Sequence, residues 1–565
     1  MSKKNKATSP PPKPTITTKP ISNTFSIPYP ILWLIAVVIV LYAGTIHYDF
    51  TQLDDAIFIK EMQAYNESLS NLVTSFSRGV FNPTNDEYYR PMFLNSMILN
   101  YQFAETDILG YHVFNIGLHI LCVILFYQLM LLLEIKKLHA FLLSLLFAVH
   151  PSLSQAVVWI PGRNDSLMGV FVLSYILSAI RYSQSQHWKY LVGIFVFLSA
   201  SFFTKESAIV TPAVAVLIQV FILKQRWFSK SQRIHYGIIV IVALVYFVLR
   251  STASLKPTPL HPADLFTDFT HRIPIIFQYL GKVFFPFNLS VFPIQEDTVI
   301  FYGLAAMLLL IVVIAFTKEK RWNWYIAGFC FFFVYLLPLL FLPKVLNEQI
   351  FEHRLYLPMM GLFLVLPQTI LFKNTWSDKQ QSVAVFVVAG ALFFLNYRHQ
   401  PNFENALSFW KQAYTTSPHS AYATMMYGAR VEDRQEGYAL MRQAYKLNPD
   451  EKYLNYYYGM MLQNQDSLLA SEPHFLREKK KSGYYECDFY LAKIAFYKKD
   501  FKAAATYLET YVKADPTHDM ANKNLLLLYV TELKDKQKAL AQIKRMEANH
   551  IMVNQELKQQ IYRMP

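Results

Sequence analysis

The stretch PILWLIAVVIVLYAGTIHYDFTQLDD, residues 30–55, opens with nineteen positions free of Asp, Glu, Lys and Arg and closes on an acidic pair. A run of that length matches the roughly 20 apolar residues that carry a helix across about 30 Å of hydrocarbon. No cleavage site follows it, so it reads as a retained anchor. The acidic pair Asp54 and Asp55 then sits just beyond the membrane.

Working outward, comparable runs recur near 112–134, 138–151, 166–181, 188–203, 206–223, 235–250, 297–316, 323–342, 354–372 and 380–398. The chain as a whole is 53% apolar and 16% charged, whereas a soluble domain carries about 25% charged residues. The fold class expected is therefore all-α: a polytopic bundle of about eleven spans over residues 30–398, with long outer loops at 48–111 and 251–297. After it, Lys, Glu, Asp, Asn and Gln return, so residues 399–565 read as a soluble helical domain.

Loop charge sets the orientation. Residues 1–29 hold Lys3, Lys4, Lys6, Lys13 and Lys19 among Pro, Ser and Thr, the composition of a flexible basic cytoplasmic tail. With that end inside, every inner loop is basic: Lys136 and Lys137, Arg181 and Lys189, Lys224 to Arg233, Lys318 to Arg321, and Lys373 with Lys379. This is the positive-inside pattern. An odd number of crossings then puts the C-terminal domain outside. The net charge of +14 is spent in these short loops, which argues against nucleic acid as a partner. Cys122, Cys330 and Cys487 are scattered, so neither a disulfide framework nor a metal cluster is written in them.

In the C-terminal part, YALMRQAYKLNP (438–449) and FKAAATYLETYVKADP (501–516) both end in a polar residue plus proline after small and apolar residues at helical spacing. The pattern resembles tetratricopeptide repeats of about 34 residues, three to four of them here. A stack of such pairs offers a surface for an acceptor polypeptide. A plain spacer is the alternative.

On that topology, the polar residues that break the apolar runs gather at the outer edge. Asp54 and Asp55 follow the first span, and Arg90 lies in the first outer segment. His112, Asn115 and His119 share one face of the second span, and His150, Arg163 and Asp165 flank the next outer turn. Lys205 and Glu206 are squeezed between two apolar runs, and Glu352, Arg354 and Tyr356 open the tenth. Ionisable groups facing lipid are costly, so such a set reads as the lining of a cavity. Arg and Lys beside a bilayer suit a lipid phosphate, and a carboxylate suits a base for an attacking hydroxyl.

The strings LDD (53–55), YRP (89–91), FAVHP (147–151), WIPGRND (159–165), TKE (204–206) and EHRLYLP (352–358), with His112, Asn115 and His119, resemble the transmembrane and tetratricopeptide-repeat O-mannosyltransferases within the C-type (GT-C) membrane glycosyltransferases. The resemblance implies inverting transfer of a sugar from a polyprenyl-phosphate donor to Ser or Thr hydroxyls of extracytoplasmic proteins. It implies that Asp54 or Asp55 is the base, with Asp55 slightly favoured. Donor contacts are expected from Arg90, His150, Arg163, Asp165, Lys205, Glu206, Glu352, Arg354 and Tyr356. No cofactor or metal is expected, though an acidic pair could take a divalent cation. The short repeat region and basic N-terminal end look more like a bacterial inner-membrane member, with a periplasmic C-terminus, than an endoplasmic-reticulum one. Two other readings share the same features: a lipid-linked transferase acting on a glycan or lipid, and a non-enzymatic membrane-anchored repeat scaffold.

Overall fold

The computed structural model describes residues 27–82, 86–253, 255, 262–297, 299–341, 349–373 and 376–564. The basic N-terminal segment expected over 1–29 falls outside these except for its last three residues. Among the described residues the chain is built of helices, with two isolated bridges and no strand.

Each of the expected apolar runs falls on a helix, but they are not equal. Six helices are long and apolar enough to cross a bilayer: Pro30–His47, Ile108–Leu132, Ile160–Ser185, Lys230–Thr252, Trp322–Leu340 and Asp378–Phe403. The run expected at 138–151 continues through a 57° bend, as Lys137–Val149 and Pro151–Val158. Pro151 explains the break, because its ring forbids a continued helical hydrogen bond. Four runs form shorter apolar helices, Trp188–Phe202, Glu206–Ile222, Phe301–Ala315 and Pro358–Gln368. The 15 residues of Trp188–Phe202 rise about 22 Å, less than the hydrocarbon thickness. The protein is thus a multi-pass membrane protein whose bundle combines six long apolar helices and one bent pair with shorter apolar helices between them.

Exposed side chains agree with that setting. Val240, Ile241, Leu244, Phe247 and Val248 of one helix, and Leu304, Leu308 and Ile311 of another, face outward. Water would penalise such surfaces and lipid does not. Without a hydrophobic drive between helices, close backbone approach does the packing. Helices Trp322–Leu340 and Pro358–Val365 meet at Gly328 and Gly361, where a Cβ on either glycine would stand 2.6 Å from the other's carbonyl oxygen.

The two segments expected as outer loops are largely helical. Pro91–Ala104 lies in the first and Pro262–Phe284 in the second. Both carry polar residues among the apolar ones, so neither gave a span-like run.

Beyond residue 405 the chain folds into successive helices, from Ala406–Thr416 to Gln555–Arg563. The first helices of four hairpins begin at Ala421, Leu454, Glu486 and Asp519, a spacing of 32 to 33 residues. Small residues allow the hairpins to close: a Cβ at Gly437 would lie 2.8 Å from the Gly428 oxygen. This domain is fastened to the membrane part rather than tethered. Trp410 Nε1 donates to the Thr51 oxygen at 3.1 Å, Ser417 Oγ to the Phe292 oxygen at 2.7 Å, and Gln412 bonds both Leu289 and Val291.

Candidate active site

A cavity of about 440 Å3 opens where the segment 54–90, the turn 159–168, the turn 205–207 and the turn 351–358 converge. Asp54, Arg90, Asp165, Lys205, Glu206 and Arg354 all line it, drawn from five separate stretches of chain. Phe58, Phe81, Met168, Leu336, Leu339 and Leu357 supply its apolar side.

Its charges are arranged as two crossed pairs and two less engaged guanidinium groups. Arg90 Nε reaches both oxygens of Glu206, at 3.2 and 2.9 Å, and Nη2 lies 2.9 Å from Oε2. The Tyr89 N–H adds a third donor to the same carboxylate. Lys205 Nζ donates to both oxygens of Asp165, at 2.8 and 2.7 Å. Burial pulls the Lys205 ammonium below its usual value, opposed by Asp165. Arg354 donates to the Gln349 carbonyl at 2.9 Å and has no carboxylate partner among the described residues. Arg250, not singled out from the sequence, stands on the same wall.

The two adjacent aspartates occupy different environments. Asp55 is 2% exposed and wholly engaged: Oδ2 accepts from the Thr51 N–H and hydroxyl at 2.7 and 2.8 Å, and Oδ1 from the Gln52 and Ala56 N–H groups at 3.0 Å each. It pins the turn 51–56. Asp54 faces the cavity instead. Burial, and then the Asp55 charge, push its carboxyl up to about 7, against the pull of Arg90 and Lys452. That is the range in which a carboxylate is an effective base near neutrality.

The other expected residues hold the walls together. Asn115 Nδ2 donates to the carbonyls of Val157, Trp159 and Ile160, groups left open where the helix breaks. His112 lies 3.2 Å from the Tyr48 oxygen, and His119 bridges the Tyr356 hydroxyl at 2.7 Å and the Ala148 oxygen at 3.0 Å. His150 meets the Val283 oxygen at 3.0 Å. Arg163 is fully buried, donates to the Tyr111 oxygen at 3.1 Å and lies over the Phe114 ring. Glu352 is buried against Lys282 and accepts from the Ser290 N–H. None of these lines the cavity.

Sequence reading passed over Gln155, Lys282 and Arg250. Gln155 joins the turn 351–358 to the Val291 carbonyl, and Lys282 neutralises Glu352. Val291 lies 136 residues from Gln155 and Glu352 lies 70 from Lys282, so local spacing held no sign of these contacts. Among the described residues no group of three or more His, Cys, Asp or Glu is placed to hold a metal ion, and the three cysteines are free.

No protein-family model matches the chain. Protein O-mannosyl-transferase F38B6.6 of Caenorhabditis elegans is 32% identical over 200 residues, covering 33% of this chain and 27% of the relative. Protein O-mannosyl-transferase TMTC3 of Homo sapiens is 28% identical over 137 residues, 24% of this chain and 15% of the relative. Protein O-mannosyl-transferase Tmtc1 of Drosophila melanogaster is 31% identical over 121 residues, 21% of this chain and 14% of the relative. The chain thus spans about a quarter or less of the length of these relatives. Over that part it is similar to these protein O-mannosyl-transferases, the family its LDD, WIPGRND and EHRLYLP strings resemble.

Proposed function

We propose that this chain is a membrane glycosyltransferase that moves a sugar, with mannose the first to test, from a polyprenyl-phosphate donor to Ser or Thr hydroxyls of extracytoplasmic proteins. The observation that carries the reading is the half-buried Asp54 carboxylate sharing one cavity with Arg90, Lys205, Arg250 and Arg354. In this reaction the acceptor hydroxyl gives its proton to Asp54 while its oxygen attacks C1 of the sugar. The C1–O bond to phosphate breaks, and the polyprenyl phosphate leaves with that electron pair. Attack from the side opposite the phosphate inverts the anomeric centre. Asp55 serves by fixing the turn that carries Asp54.

Arg354 and Arg250 are suited to hold the leaving phosphate because neither spends its charge on a carboxylate among the described residues. Arg90 and Lys205, each already paired, set the shape of the anionic subsite. The apolar wall receives the first isoprene units.

The helical domain from 399 to 565, read as tetratricopeptide-like, lies on the side of Asp54 and presents the acceptor polypeptide. An odd number of crossings from a cytoplasmic N-terminus makes that side extracytoplasmic, the periplasm if the chain is from a bacterial inner membrane. The test is the full chain in lipid nanodiscs, given polyprenyl-phosphate [14C]mannose and Ser/Thr peptides. Labelled peptide is expected with the wild type and not with Asp54→Asn. Equal labelling by both would sink the proposal, as would label on lipid alone.

A further inference from the structure

His353 lines the cavity without a role in the chemistry above, yet its ring is held with unusual definition. It lies nearly parallel to Phe351, with centroids 5.1 Å apart at 21°, and tilts 32° to Trp159 at 5.7 Å. Its Nδ1 stands 3.1 Å from Gln155 Oε1.

The orientation of that amide is fixed from both ends. Gln155 Nε2 donates to the Val291 carbonyl at 3.0 Å, and Oε1 also faces the His353 backbone N–H. Turning the amide over would set oxygen against oxygen at Val291 and N–H against N–H at His353. An amide oxygen only accepts, so Nδ1 carries the ring proton.

Nε2 then has the lone pair. Asp165 Oδ2 is 3.7 Å away, beyond hydrogen-bond length. Burial, together with Lys205, Arg354 and Arg90, holds the imidazole well below its usual value, so the ring stays uncharged at neutral pH. Among the described residues no donor reaches Nε2. An acceptor without a partner on a residue that lines the cavity is placed to take a donor from the ligand.

The ligand's phosphodiester has no proton to give and is repelled by a lone pair. What can donate is a neutral hydroxyl. We infer that His353 Nε2 is a specificity contact that accepts a hydrogen bond from one hydroxyl of the donor sugar, and that Gln155 positions it by locking the tautomer. This rests on the transferase reading and adds where the sugar ring sits: beside His353, between the phosphate cations and Asp54.

The test uses the full chain in nanodiscs and the polyprenyl-phosphate sugar it turns over, with the monodeoxy analogues of that sugar. One analogue is expected to lose roughly 10- to 100-fold in kcat/KM with the wild type. His353→Phe keeps the aromatic packing without the acceptor, and it should use that analogue and the parent sugar equally well. Gln155→Met should shrink the same ratio, which a loss of folded protein alone would not move. Wild-type use of every analogue within about 3-fold would overturn the inference, as would discrimination retained by His353→Phe. Absence of turnover with any polyprenyl-phosphate sugar would instead remove the transferase reading on which it stands.

Discussion

Transfer is expected to fall as Asp54 takes up its proton. The carboxyl is raised to about 7 in the folded protein, from 3.8 in an ordinary setting. A base must be ionised, so kcat/KM should be flat above neutrality and fall about tenfold per pH unit on the acid side of the limb. Because the folded value lies above the unfolded one, the protonated form is favoured by folding. That contribution to stability is present at low pH and is lost as pH rises from about 4 to 7. A displacement of this size corresponds to at most about 4 kcal/mol. Asp54→Asn should therefore lower transfer by about 10²- to 10⁴-fold and leave the protein no less stable at pH 8. Lys452 pulls the value down from the turn between the first and second repeat hairpins, so Lys452→Met should move the limb toward higher pH. The assay is label transfer in nanodiscs from pH 5.5 to 8.5, with thermal unfolding of the same samples. A profile flat across that range, or Asp54→Asn retaining more than about a tenth of the activity, would refute the assignment of Asp54 as base.

Three further perturbations bear on separate parts of the molecule. Lys282→Met leaves the Glu352 carboxylate buried at 1% exposure without its partner, and should cost about 3–5 kcal/mol by thermal unfolding, most of it recovered in Lys282→Met with Glu352→Gln. Arg354→Ala should lower kcat/KM for the donor by roughly 10- to 100-fold, the worth of a charge-assisted phosphate contact. Its effect should fall on donor KM before acceptor KM, and equal effects on both would remove Arg354 from the phosphate subsite. Trp410→Phe deletes the 3.1 Å bond to the Thr51 carbonyl and part of a fully buried ring system. A loss of about 1–3 kcal/mol with a lower kcat and unchanged donor KM would mark it as a brace for the turn of Asp54.

The bundle was legible because a bilayer imposes length: Pro30–His47 and Asp378–Phe403 stand out in any window of the right size. The level of the site was legible too, since Lys205 and Glu206 had no other reason to interrupt apolar sequence. What spacing did not reveal is which polar residue faces the cavity. Asn115 and Asp165 are both polar, buried and near one break in the bundle, yet one closes three open carbonyls and the other takes an ammonium at the cavity edge. Physics demands a polar side chain in either case. The same holds for Asp54 and Asp55, which differ only in that Thr51, Gln52 and Ala56 turn their donors toward the second. The helix Pro262–Phe284 was read as loop because its apolar face is interrupted by Arg272, Gln278 and Lys282, all of which are buried in the fold.

The fastening of the repeat domain bears on why the two parts share a chain. Trp410 holds the Thr51 oxygen, and the Thr51 N–H and hydroxyl hold Asp55, so the helix Ala406–Thr416 that precedes the first hairpin is two hydrogen bonds from the turn that carries Asp54. On the other side, Gln412, Thr416 and Ser417 bond the segment 289–292, whose Ser290 N–H binds Glu352 two residues before Arg354. One helix, Ala406–Thr416, therefore braces both edges of the cavity, the proposed base on one and the proposed phosphate contact on the other. A domain that only captured acceptors would work from a flexible linker. Burying Trp410 and Ser417 against two turns of the candidate site would make the position of the proposed acceptor on the first hairpin and the position of Asp54 parts of one rigid arrangement. The proposed transfer would need that constancy, because a misplacement of about 1 Å can cost roughly 10²-fold in rate.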